Sequence, residues 1–73
     1  MRLTITLTAL EEESLDRLLV SCNRSECSSH GQLTLTRLTA MLLQDAALVV
    51  TRPGSWEGSN MAQVLHSHGY LLA

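Results

Sequence analysis

Two sets of residues in this chain can do chemistry. Arg2, Thr4 and Thr6 alternate with Leu3, Ile5 and Leu7. A guanidinium and two hydroxyls on one face of a strand suit base edges. Arginine can pair bidentately with guanine, and threonine can bond a base edge or touch the thymine methyl. The second set is thiol and imidazole. Cys22, Cys27 and His30 are spaced Cys-x4-Cys-x2-His, and His66 and His68 lie near the end. Four such side chains can hold zinc. This spacing is not that of a zinc knuckle or ribbon, however, and Cys22 falls on the apolar stripe of a helix. No metal and no other cofactor is expected. No nucleophile, base and orienting group stand at interpretable spacing, and Ser28-Ser29-His30 is not a triad, so the chain does not read as an enzyme.

The elements that position these residues follow from periodicity. Residues 2–7 have a strict period of two and read as a strand with Leu3, Ile5 and Leu7 inward. A lone strand needs a partner for its backbone groups, and no second convincing strand is present. The simplest partner is the same strand of another copy. Two antiparallel copies would form a ribbon narrow enough for the DNA major groove.

Thr8-Ala9-Leu10-Glu11 is a capping box, which opens a helix over about 9–22. Leu15, Leu18, Leu19 and Cys22 make its apolar stripe. Glu12, Glu13, Asp16 and Arg17 make its solvated face, with Glu13 and Arg17 a favourable i, i+4 pair. Residues 23–33 are rich in turn formers and read as a loop. A second helix over about 35–50 has Thr34 or Thr36 as its N-cap and Leu35, Leu38, Met41, Leu42, Ala46 and Val49 as its stripe. It is apolar nearly all round, which suits a central place in a dimer core. Pro53-Gly54 stops it. A short third helix over about 60–68, capped by Ser59 and stopped by Gly69, closes the chain.

Size and charge narrow the function. The chain has 73 residues, 45% of them hydrophobic. A monomer this small buries only about 60% of its unfolded surface, so this aliphatic content implies burial between subunits. The formal charge is −2, and all five basic residues are arginine, at 2, 17, 24, 37 and 52. That balance argues against a non-specific, charge-driven nucleic-acid binder but leaves room for a site-specific reader. No apolar run is long enough to span a bilayer and no signal-peptide pattern opens the chain, so a cytoplasmic protein with reduced thiols is expected.

Strand, helix, turn, helix is the ribbon-helix-helix plan, and the chain resembles that superfamily, most closely its CopG copy-number repressor branch. The opening Arg2-Leu3-Thr4-Ile5-Thr6-Leu7 with its hydroxyl cap Thr8 carries the resemblance. Leu15-Asp16-Arg17-Leu18 and the segment from Thr34 to Leu43 are similar to the family's two helices. The loop before the second helix is several residues longer than the family's tight turn, and the tail has no counterpart in the minimal fold.

The resemblance implies a mainly α fold, a ribbon-helix-helix homodimer with one strand per chain paired between subunits. Residues 1–51 would form the dimerisation and DNA-binding domain, and residues 52–73 a C-terminal extension with the extra helix. It implies a plasmid- or phage-type transcriptional repressor on double-stranded DNA, and allows a higher oligomer there. Arg2, Thr4 and Thr6 would contact bases, and Thr34, Thr36 and Arg37 would hold phosphate at a helix N-terminus. An alternative is a protein-interaction module, such as an antitoxin or an inhibitor, that binds a partner through residues 52–73. A further option is an accessory protein at a plasmid transfer origin.

Overall fold

A computed structural model describes residues 2–24 and 31–72. The described residues form three helices: α1 (Ala9–Asn23), α2 (Leu35–Thr51) and α3 (Trp56–Ser67). The chain divides into two compact units, Met1–Leu35 and Thr36–Ala73.

The ribbon-helix-helix fold expected from the alternation does not form. No strand is present among the described residues, and residues 2–7 have no regular secondary structure. A ribbon-helix-helix architecture requires a strand, and this structure is helical only. The physical reason is that alternation specifies a two-faced segment but supplies no partner. A strand exists only once its N–H and C=O groups enter a ladder, and the described residues offer none.

In the first unit, α1 begins at a capping box. The Glu11 N–H donates to the Thr8 hydroxyl at 3.1 Å, and the Thr8 N–H donates to the Glu11 carboxylate at 2.8 Å. The Glu12 N–H closes the first turn onto the Thr8 carbonyl at 3.0 Å. Arg17 pairs with Glu13 at 2.8 Å on the exposed face. The inward stripe is narrower than periodicity implied: Leu15 and Leu19 are half-buried, whereas Leu18 and Cys22 are exposed. Asn23, four residues on from Leu19, completes the half-buried face. It is the last residue of α1, not the first of a loop.

In the second unit, α2 and α3 meet at a tight corner. Pro53 lacks an N–H and cannot continue α2. The Ser55 hydroxyl donates to the Arg52 carbonyl at 2.7 Å and accepts from the Gly58 N–H at 3.1 Å. Ser55, not Ser59, is thus the N-cap of α3, and α3 starts earlier than the Met61–His68 pattern suggests. Gly58 is buried against the end of α2. A Cβ there would lie 2.7 Å from the Arg52 carbonyl oxygen and 2.9 Å from that of Leu48, closer than backbone allows.

The far end of α3 closes in a Schellman motif. Gly69 sits at φ +91°, its N–H donating to the His66 carbonyl at 3.0 Å, and the Tyr70 N–H donates to the Leu65 carbonyl at 3.0 Å. Half-buried Leu38, Ala46, Leu48 and Val49 of α2, with Met61 and Leu65 of α3, form the inward faces of this unit. No apolar side chain among the described residues is fully buried.

Candidate interaction surfaces

The N-terminal arm, residues 2–8, leads into the Thr8 cap. Arg2, Thr4 and Thr6 are exposed, and none has a hydrogen-bond partner among the described residues. Leu3 and Ile5 are also open, at 58% and 61% exposure, while Leu7 is half-buried. Ile5 and Leu7 line one groove with Leu15 and Leu19 of α1 and Leu35, the first residue of α2. Residues two apart facing one groove is the habit of an extended chain. Of the three aliphatic residues of the arm, Ile5 and Leu7 line this groove and Leu3 does not, and no strand forms. The groove holds about 260 Å³, and Glu12 and Asp16 stand at its rim.

A second, shallower groove on the same unit is lined by Asp16, Leu19, Val20, Asn23, Arg24 and Leu33. It exists because Asn23 clasps Leu33. The Asn23 side-chain N–H donates to the Leu33 carbonyl at 2.8 Å, and the Leu33 N–H donates to the Asn23 carbonyl oxygen at 2.6 Å. A primary amide offers one donor and one acceptor side by side, so it matches a peptide group as a neighbouring strand would. Sequence reasoning missed this clasp. The only available signal was an Asn at the end of a periodic segment.

The proposed phosphate contacts lie around the start of α2. Thr34 precedes the helix, and Thr36 and Arg37 occupy its first turn; all three are exposed. Arg2, Thr4, Thr6 and Thr34 belong to the first unit, Thr36 and Arg37 to the second.

Among the described residues no three of His, Cys, Asp or Glu gather as a metal site. Cys22 is an exposed free thiol on α1, contrary to its expected place in a core stripe. His66 and His68 are exposed at the end of α3. Cys27 and His30 lie outside the described residues. His66 lines a groove of about 540 Å³ with Ser59, Gln63 and Leu72, where the chain turns back along α3. No acid–base pair is present in it. The Thr8 N–H and then the Thr8 hydroxyl hold the Glu11 carboxyl below the ordinary value of 4.5. That shift belongs to a helix cap, not to catalysis.

No family model, curated protein or solved structure matches this chain. No helix among the described residues is long and apolar enough to cross a membrane.

Proposed function

We propose that this chain is a site-specific DNA-binding regulator of transcription that acts as an assembly of copies. The observation that supports this most is the arm. Arg2, Thr4 and Thr6 are exposed and unpartnered on a segment anchored at one end by a capped helix. An arm of this kind can enter a groove of the duplex, where the guanidinium and the hydroxyls meet base edges. Thr34, Thr36 and Arg37 add phosphate contacts at the start of α2, where backbone N–H groups and the helix dipole favour an anion. The ribbon is no part of this reading. With a formal charge of −2 the chain gains little from non-specific attraction, so its affinity depends on these few contacts.

The test is a titration of the purified protein against a randomised duplex-DNA pool at two salt concentrations. Enrichment of one motif, weakened by salt, supports the reading. Failure to enrich any motif at low salt overturns it and leaves Arg2, Thr4 and Thr6 as a solvated face.

A second reading, a protein-interaction module working through residues 52–73, is favoured by the exposure of the tail's aromatic and aliphatic groups. Trp56 is 78% exposed and Leu71 82%. The tail already holds a helix capped at both ends, which weighs against a tail that folds on its partner and leaves this reading only a preformed surface. Pull-down of a specific partner that a Trp56→Ala chain fails to retain would favour this reading.

A further inference from the structure

The geometry points to a peptide-docking site in the groove between the N-terminal arm and α1, fitted to an extended segment of a partner protein that alternates aliphatic and basic residues. It goes beyond the DNA reading and uses the opposite face of the arm. The floor is apolar: Leu7, Leu15 and Leu19 are half-buried there, and Ile5 forms an open wall. A volume of about 260 Å³ suits one or two aliphatic side chains, not a large cofactor.

The rim sets the charge of the occupant. Glu12 and Asp16 stand four apart on α1, both line the groove, and neither carboxylate has an ion-pair or hydrogen-bond partner among the described residues. Glu13, by contrast, is neutralised by Arg17. Arg24 lines the neighbouring groove with Asp16 but makes no ion pair with it. Two like charges at i, i+4 repel, and a cation laid between them relieves that repulsion. The backbone groups of residues 2–7 make no hydrogen bonds among the described residues. An extended segment laid along the arm can satisfy them while every second side chain enters the groove. Apolar floor, uncompensated acidic rim and unpaired backbone thus agree on one occupant.

The experiment uses the full chain and a fluorescent hexapeptide alternating leucine and arginine, with a leucine–glutamate hexapeptide as control, read by anisotropy. The basic peptide should bind saturably and the acidic one should not. Glu12→Gln and Asp16→Asn should each weaken binding about two- to five-fold. Ile5→Ser, at an exposed position, should weaken it about ten-fold with helicity unchanged. Glu57→Gln, an equal loss of charge on α3, should leave it unchanged. Absence of saturable binding overturns the proposal. Equal weakening by Glu57→Gln also overturns it, since the attraction is then general. So does an Ile5→Ser chain that turns from dimer to monomer, because a second copy then fills the groove. Loss of peptide binding leaves motif selection from the DNA pool untouched, so the two readings fail separately.

Discussion

At the scale of the residue, Arg2 and Glu11 make the sharpest cases. If Arg2 reads guanine, Arg2→Ala removes a bidentate pair and costs about 1–3 kcal/mol of discrimination against the wrong base. The arm is exposed, so helicity should not change. Competition between the selected duplex and a single-base variant measures this, and unchanged discrimination removes Arg2 from the readers. Glu11 gives a pH prediction. Its carboxyl is held below 4.5 by the Thr8 N–H and hydroxyl. A depressed folded value means the cap is fully present above the ordinary carboxylate value and is lost as pH falls through the lower folded one. The Thr8 amide proton resonance should therefore move on acidification below about 4.5. It should stay fixed in Glu11→Gln, whose amide oxygen still accepts the bond. Thr8→Ala removes the other half of the box and should lower the stability of α1 by about 1 kcal/mol at neutral pH, read by denaturant unfolding.

At the scale of the element, α2 and α3 depend on two glycines for different reasons. At Gly58 the problem is space. Two carbonyl oxygens of the α2 terminus lie within 2.9 Å of any added Cβ, and neither is the end of a flexible side chain. Gly58→Ala should then open the corner, costing about 1–3 kcal/mol despite the better helix propensity of alanine. At Gly69 the problem is conformation. Its φ of +91° is strained for any L side chain although open space surrounds it. Gly69→Ala should fray the last turn of α3 and leave the corner intact. Amide exchange at Tyr70 against that at Gly58 separates the two outcomes.

The same elements show what the sequence could and could not tell. The capping box, Pro53 and Gly69 were legible because each acts within a few residues of itself. The start of α3 was not, because Gly58 lowers the helix signal where the true cap, Ser55, needs it. The Asn23–Leu33 clasp spans ten residues and leaves no periodic trace. The arm was legible as a two-faced segment but misread as a strand, since pairing is a non-local property. For the candidate site, residue types and exposure could be read from the sequence. The groove under Ile5 and Leu7 could not, because it needs α1 and Leu35 brought alongside.

At the scale of the whole molecule, the decisive fact is that no apolar side chain among the described residues is fully buried. Hydrophobic burial is the dominant favourable term in folding, so a chain with 45% hydrophobic residues and no fully buried apolar side chain among its described residues is marginal alone. Association is the direct remedy, and α2 carries a surface for it. Leu43, Ala47 and Val50 are exposed at i, i+4 and i+7, one apolar stripe, with Val50 at 85% exposure. If this stripe joins two copies, folding and assembly form one equilibrium, and the melting midpoint must rise with protein concentration. Leu43→Glu places a charge on the stripe without disturbing the half-buried faces of α2. It should lower the sedimenting mass to that of a monomer and remove the concentration dependence of the midpoint. A midpoint already independent of concentration in the unsubstituted chain would mean that one copy is stable by itself. The stripe would then be left for a different protein to cover. Because an assembly presents each arm more than once, the monomeric variant should also lose affinity for a two-half-site duplex far more than for a single half-site. Equal losses on both would separate assembly from DNA recognition.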